Sequence, residues 1–257
     1  MSQYKHIAYE ETDKTGYLTL QRDDDLNIIN IEMMNEINGA LELLSDGTGL
    51  KALVIRAKGR AFSAGVDVAE HTDELAEKMI KTFHLMFLLL DRLECPTIAV
   101  VHGAALGGGC ELACFCDMVL AREGAKFGQP EIKVGVFPPV AAAAFPKYSH
   151  LKKVYELLLV GDVILADEAE RIGLVNQVYS KEEFEKKAEE FIYRLTSNSG
   201  AILRYTKKAI RASIGKTFGE ALESSESIYL KEMMKSHDAH EGLTAFMEKR
   251  KPEWRDG

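Results

Sequence analysis

A chain of 257 residues that is 46% hydrophobic and 28% charged can bury a substantial core as one large unit. Its 40 acidic against 32 basic residues give a net charge of −8, and no dense basic stripe interleaved with aromatics is present, which argues against nucleic acid as a partner. The longest apolar run, around Leu85 to Leu90, is bounded by Lys81 and Asp91-Arg92 and is too short to span a bilayer; Met1 to His6 lead into charged residues, not an apolar signal, so a cytoplasmic protein with no membrane partner is expected.

In chain order, Tyr17 to Leu20 alternates like a strand and Asp23-Asp24-Asp25 reads as a solvated turn. Ile31 to Leu44 has helical spacing, Ala52 to Ala57 is a short apolar strand, and Leu75 to Leu93 reads as a helix. Thr97 to Val101 is a strand, Glu111 to Phe115 a helix, and Met118 to Leu120 a returning strand. From about Ser197 onward the segments turn helical, over Ala201–Ala212, Phe218–Met234 and His240–Lys249, with no strand signal. No internal repeat, low-complexity stretch or Pro/Ser-rich linker interrupts the chain.

The most informative stretch is His102-Gly103-Ala104-Ala105-Leu106-Gly107-Gly108-Gly109-Cys110-Glu111-Leu112. Three consecutive glycines between a buried strand and a helix let backbone approach a ligand closely, and free N–H groups at a helix start attract developing negative charge. Glu111 follows Gly108 by three residues, so one short element can supply an oxyanion donor and an acid/base for chemistry beside a carbonyl. The loop is no mononucleotide P-loop, because no Gly-Lys-Ser/Thr follows, and it lacks the spacing and acidic ribose partner of a dinucleotide fingerprint. A second carboxylate, Glu131, sits in the run Phe127 to Pro138, and Lys58 to Val68 follows a strand with small residues that leave the amides of Ala64 to Val66 accessible.

These three segments, in this order and at these separations, resemble the crotonase superfamily of acyl-CoA enzymes, the enoyl-CoA hydratase/isomerase family. The resemblance covers nearly the whole chain, including Leu26-Asn27-Ile28-Ile29-Asn30, the pattern from Gly161 to Asn176, and the ending Phe246 to Trp254. It implies an α/β fold, the crotonase (ClpP-like) spiral of repeated ββα units over residues 1–196, with a C-terminal helical trimerisation region over 197–257. It implies that the N–H groups of Val66 and Gly108 form the oxyanion hole and that Glu111 and Glu131 flank the acyl chain and manage a water. Asn27, Ile28, Ser63, Ala64 and Val66 would line the CoA site, with Phe246 and Lys249 reaching CoA from a neighbouring subunit of a trimer or a dimer of trimers. Phe83, Phe87, Phe137 and Val140 would shape the substrate pocket. No metal or redox cofactor is implied, CoA being part of the substrate.

The chain departs from the family after Gly135, where a Pro-Gly pair and a Gly-rich turn are replaced by Pro138-Pro139-Val140-Ala141-Ala142-Ala143-Ala144-Phe145-Pro146; this is expected to narrow and rigidify the backbone beside the acyl pocket. With Phe83-His84-x-Met86-Phe87 and residues 64–71, this looks like the branch that hydrates cyclohexa-1,5-diene-1-carbonyl-CoA in anaerobic aromatic degradation. The alternatives are a general short-chain enoyl-CoA hydratase or a double-bond isomerase, which often uses a single acid. A dehalogenase would need a carboxylate nucleophile near Pro139, where there is none, and a non-catalytic binder ranks last.

Cys95, Cys110, Cys114 and Cys116 do not match paired zinc spacings and read as buried reduced thiols. His237 and His240 read as a solvated helix face, Asp67 as fixing its loop through backbone amides, and His71 and His84, although better candidates for a role near substrate, as packed or surface histidines.

Overall fold

The computed structural model describes residues 4–45 and 49–256; the first three residues of the stretch Met1 to His6, read above for a signal, lie outside the described residues. The chain begins with a hairpin, β1 (Ile7–Thr12) against β2 (Thr15–Leu20), turned by Asp13 and Lys14 at φ 49° and 60°, as a two-residue hairpin turn requires. Helix α1 (Ile31–Ser45) runs back along the hairpin, and its Glu36 accepts the amides of Lys5, His6 and Ile7. Then come β3 (Ala52–Ala57), α2 (Ala76–Arg92), β4 (Thr97–Val101), β5 (Ala104–Leu106), α3 (Gly108–Phe115), β6 (Met118–Arg122) and β7 (Lys126–Gly128). A 3-10 turn over Pro130–Val134 leads to α4 (Pro139–Ala144), α5 (Leu151–Val160), β8 (Val163–Leu165), α6 (Ala166–Arg171), β9 (Gln177–Tyr179) and α7 (Phe184–Thr196).

The strands form a six-stranded sheet in the order β1-β2-β3-β4-β6-β9, parallel except for the hairpin, and a three-stranded sheet in the order β5-β7-β8. The repeat is a β-β-α unit. β4 enters the large sheet, β5 the small one, and α3 closes the unit; β6, β7 and α4 repeat the pattern. Ser63, bridged to Ala105, marks the same position in an earlier unit that starts at β3 and closes with α2. β5, β7, β8 and β9 have three residues each, too few to show a period, and go unread in the sequence.

Covering helices on both faces explain why β3 and β4 are continuously apolar. Leu53, Ile55, Ala99 and Val101 join the main core with Met33, Ile37 and Phe62. Their alternating neighbours Val54, Ile98 and Val100 pack with Leu120 against Phe184, Ala188 and Ile192 of α7.

Helices α8 (Gly200–Ser213), α9 (Phe218–Lys231) and α10 (His237–Glu248) complete the chain. The residues read as one helix to Met234 are α9 plus a separate 3-10 turn over Met233–Lys235, and α10 begins three residues earlier than its apolar spacing indicates, because Ser236 caps it by accepting the Ala239 amide. α8 is pinned to the core by Lys207, whose Nζ donates to Cys95 O at 2.8 Å and Asp117 Oδ2 at 2.6 Å. The tail is held by Asp238, which accepts from Ser199 Oγ and from the amides of Arg255 and Asp256. Burial would raise the Asp238 carboxyl, but these bonds and His237 outweigh it and bring it down to about 2. Among the described residues no helix is long and apolar enough to cross a membrane.

Candidate active site

The loop after β3 is stitched to backbone on both sides. Ile29 N donates to Gly65 O at 2.8 Å and Asp67 N to Ile29 O at 3.1 Å, while on the other side Ser63 N donates to Ala104 O and Leu106 N to Ser63 O, each at 3.0 Å. This clamp lays Gly65 against the glycine run: a Cβ on Gly65 would lie 3.0 Å from Leu106 O and 3.7 Å from Gly108 N. Gly65, at φ 110°, and Gly107, at φ 51°, take backbone conformations that side chains disfavour, so both positions call for glycine. Val66 and Gly108 are thereby neighbours across two backbones. Gly108 opens α3, so its N–H has no carbonyl one turn back, and among the described residues neither its amide nor that of Val66 is taken by another acceptor. Two free amides side by side at a helix start form a receptor for an oxyanion.

Glu111 lies in the first turn of α3 and is 2% exposed. Its Oε1 accepts the Ala141 amide at 2.7 Å, and the Val140 amide also bonds the carboxyl. Burial pushes its pKa up to about 8; the Ala141 amide opposes the shift, the neighbouring Glu131 adds to it, and the Val140 amide opposes it. Glu131, half-buried in the 3-10 turn, is also raised by burial. Its carboxylate lies over the glycine run, 2.7 Å from where a Cβ on Gly107 would be. Two acids and two donor amides therefore converge on one spot.

Gln129, fully buried two residues before Glu131, has no role in the sequence reading. With its amide nitrogen toward the acid it donates to both Glu131 oxygens at 3.1 Å, which orients that carboxylate. A polar residue within the apolar run that carries the acid is the signal that could have found it.

The five residues expected at a CoA site divide by exposure. Asn27 and Ser63 are both fully buried, so their side chains cannot meet a ligand. Asn27 accepts from Arg22 N and donates to Lys58 O and Ala61 O, and Ser63 Oγ donates to Asn27 O while accepting from Gly65 N. They build the wall, and Ile28, Ala64 and Val66, each partly exposed, are the residues that can face a ligand. Asp67 caps a short turn by accepting Ala69 N, and His71 bonds Asp67 O.

In the acyl region Phe83 and Phe87 are buried and meet edge to face at 4.9 Å, with Phe83 packed over Gly108 and Phe87 in turn against Phe115. Val140 joins Phe87 on the wall of a groove of about 410 Å³ between α2 and α4. Phe137 does not join them: it is 67% exposed on the segment after the 3-10 turn. Proline at the first position of α4 stiffens the segment, and Val140, Ala143 and Ala144 after it line the groove. A larger cavity of about 720 Å³ lies under α8, beside Lys207 and Cys116, away from both acids. Phe246 is 84% exposed at the end of α10, and Lys249, at φ 56°, terminates that helix. All four cysteines are buried free thiols, and no cluster of metal-ligating side chains occurs among the described residues.

The spiral of β-β-α units with acids and amides at its glycine run defines a crotonase-fold protein. The chain matches the family model described as enoyl-CoA hydratase/isomerase over residues 10–257, and it belongs to that family. It is 34% identical to a probable enoyl-CoA hydratase of Mycobacterium bovis, with 98% of each chain covered, and 35% identical to a crotonyl-CoA hydratase of Syntrophomonas wolfei, covering 96% of this chain and 97% of that one. A cyclohexa-1,5-dienecarbonyl-CoA hydratase of Thauera aromatica is 36% identical over 89% of this chain and 88% of its own. The crystal structure of an enoyl-CoA hydratase from Bacillus anthracis superposes with a TM-score of 0.93 at 27% identity, covering 98% of this chain and all of that one. With relatives named as hydratases throughout, the chain is an enzyme of the hydro-lyase type.

Proposed function

We propose that the protein adds water to a conjugated enoyl- or dienoyl-CoA thioester, and that its substrate is cyclohexa-1,5-diene-1-carbonyl-CoA. The observation that carries the hydratase reading is the pairing of Glu111 with Glu131 beside two unoccupied amides. The thioester oxygen accepts from Val66 N–H and Gly108 N–H, which stabilise the enolate-like state by roughly 3 kcal/mol per donor. The two carboxyls hold one proton between them near neutrality, so one takes a proton from water while the other gives one to carbon, worth about 100-fold or more. A double-bond isomerase, which often manages with a single acid, leaves the second carboxyl without a task. These steps are proton transfers and call for no cofactor beyond the CoA that the substrate carries.

The ring substrate is supported by the Thauera aromatica relative. The Syntrophomonas wolfei relative supports a short-chain substrate as the second reading. We place Ile28, Ala64 and Val66 on the CoA wall, and a trimer or dimer of trimers as the working assembly, with Phe246 and Lys249 reaching a neighbour's CoA. Leu243, Phe246 and Met247 on α10 and Phe218 on α9 are large apolar side chains left exposed in the single chain, as an interface requires. The cytoplasm is the setting this reading assigns.

The test is incubation with cyclohexa-1,5-diene-1-carbonyl-CoA and, separately, crotonyl-CoA in oxygen-18 water, scored by mass spectrometry. Label in a hydroxylated ring thioester, formed much faster than labelled hydroxybutyryl-CoA, is the expected result. Label mainly in hydroxybutyryl-CoA would replace the ring substrate with a short chain, and no label with either would reject hydration.

The pH dependence follows from the two acids. Catalysis needs one proton on the pair: kcat/KM should fall above about 8, where Glu111 ionises, and fall again on the acid side as Glu131, raised above its ordinary 4.5, takes up a second proton. A profile flat from pH 5 to pH 9 would exclude the pair as the acid and base.

A further inference from the structure

Of the twelve residues of α10 only Asp238, Ala239 and Ala245 are buried, and two alanines supply too little apolar area to hold a helix in place. Lys249, in the left-handed region, ends the helix and turns the chain back, so that residues 250–256 return along it as a strap. The strap's polar contacts do the holding. Arg250 donates to the two oxygens of Glu241 at 2.6 and 2.9 Å, and Glu253 N donates to Glu241 Oε1 at 2.8 Å. The Trp254 ring lies against Gly242, where a Cβ would be 3.1 Å from it, and its Nε1 donates to Ser197 O at 3.1 Å. Helix and strap together form an arm whose base is the Asp238 carboxylate, acceptor of the Arg255 and Asp256 amides.

Asp256 fastens this arm to the rest of the chain. Its side chain is 5% exposed; Oδ2 accepts Lys14 Nζ at 2.8 Å, while Oδ1 accepts the Gly200 amide at 2.7 Å and lies 3.5 Å from Lys51 Nζ. Its carbonyl oxygen accepts Arg204 Nη2 at 2.6 Å. Lys14 belongs to the turn between β1 and β2, Lys51 precedes β3, and Gly200 opens α8, so one carboxylate ties the strap to three separate elements. Charge-assisted bonds of this kind are the strong ones, and removing one partner leaves two ammonium groups without their shared counter-charge. The far end of the arm is different in kind: Leu243, Phe246 and Met247 are held out from the chain and pack into no core. About 12 Å of helix separates Phe246 from Asp238, so Asp256 acts on the tip only through the arm. So extensive a clamp on a helix that gives two alanines to the interior secures what the helix carries at its end.

We propose that Asp256 is a positioning residue for the CoA end of the substrate: by locking the strap to the β1–β2 turn, to Lys51 and to the start of α8, it sets the arm so that Phe246 and Lys249 stand ready for a neighbouring subunit's CoA. The proposal rests on the reading that these two residues reach that CoA, and it adds the device that holds them there. An arm fixed beforehand need not be ordered when CoA arrives, so the lock acts on affinity and leaves the chemical step at Glu111 and Glu131 alone.

The test is calorimetric titration with butyryl-CoA, which has no double bond to hydrate, on the unsubstituted protein, Asp256→Asn, Phe246→Ala and the double variant, with sedimentation of the same samples and steady-state hydration of crotonyl-CoA. Asp256→Asn should weaken binding about tenfold and raise KM by a similar factor with kcat within about twofold, and adding it to Phe246→Ala should weaken binding by no more than about twofold further, because both changes disable one arm. Glu241→Gln, which releases Arg250 at the surface, should act in the same direction and carries the test should Asp256→Asn fail to fold. Unchanged affinity in Asp256→Asn and Glu241→Gln would overturn the proposal, as would losses that add in full in the double variant, a fall in kcat with KM unchanged, or weaker binding only where the assembly comes apart. Weaker binding by Phe246→Ala with none by Asp256→Asn would overturn the role of Asp256 alone, and unchanged binding by Phe246→Ala would overturn the reading on which it rests. The expected affinities without any hydration would overturn the hydratase reading alone.

Discussion

Glu111→Gln should lose about three orders of magnitude in kcat while melting at a higher temperature than the unsubstituted protein. The two effects have one cause. Glu111 is held in an almost water-free site that keeps its pKa near 8, against 4.5 for an ordinary carboxyl. Above pH 4.5 the unfolded chain releases the proton that the folded chain retains, so the residue destabilises the fold progressively between about pH 4.5 and pH 8. At pH 7 that cost is on the order of 3 kcal/mol. Glutamine is nearly isosteric, its carbonyl oxygen still accepts the Ala141 amide, and it has no proton to release. The variant's melting temperature should rise by roughly 5–10 °C at pH 7, and most of that gain should vanish at pH 5. Differential scanning calorimetry at the two pH values checks it, since equal gains at both would mean that Glu111 is not a buried acid with a raised pKa.

That outcome would mark Glu111 as a residue kept for chemistry at the expense of stability, and a sequence shows such residues most plainly. A carboxylate in a first helical turn can simply complement the helix dipole, and Glu111 was legible because a glycine run precedes it and a second acid-bearing segment follows. Long periodic elements were legible too, α1 and α2 to within a residue or two, because fifteen or seventeen residues display a face. The three-residue strands of the small sheet were not legible, although they matter most to the site: β5 and β7 set the distance between Gly107 and Gly128, whose backbone bond of 2.9 Å positions the start of α3. Their pairing is long-range, so nothing local records it. The same limit explains Asn27 and Ser63. Polar residues near a binding loop read as ligand contacts, whereas here they satisfy buried backbone groups from three separate segments, which only the folded chain brings together. Phe137 follows Gly135, whose left-handed turn leaves the ring 67% exposed in the single chain, a placement that its spacing in the sequence does not record.

Gly109→Ala should cost about 100-fold in kcat and roughly 1–3 kcal/mol in stability, a large effect for one methyl group. Gly109 is in the right-handed region, so backbone strain is not the reason. Its Cβ would arrive 2.6 Å from Ser63 Cβ and 2.7 Å from both Ser63 O and Oγ, and these atoms cannot yield. Ser63 Oγ is tied to Asn27 O at 2.8 Å and receives the Gly65 amide at 3.1 Å, while its main chain is bonded to Ala104 and Leu106. Either α3 withdraws, taking Gly108 and Glu111 with it, or the loop shifts and takes Val66. Both movements separate the two amides that must meet one oxygen atom, which is why catalysis suffers more than folding. Gly39→Ala supplies the contrast. Gly39 lies within α1 with nothing within 4 Å of its Cβ position, so alanine there should raise stability by about 0.5–1 kcal/mol and leave kcat alone. Steady-state kinetics and melts on the two variants together separate close packing at the glycine run from a general response to added methyl groups, and a Gly109→Ala enzyme within twofold of normal kcat would show that the contact with Ser63 does not hold the amides in place.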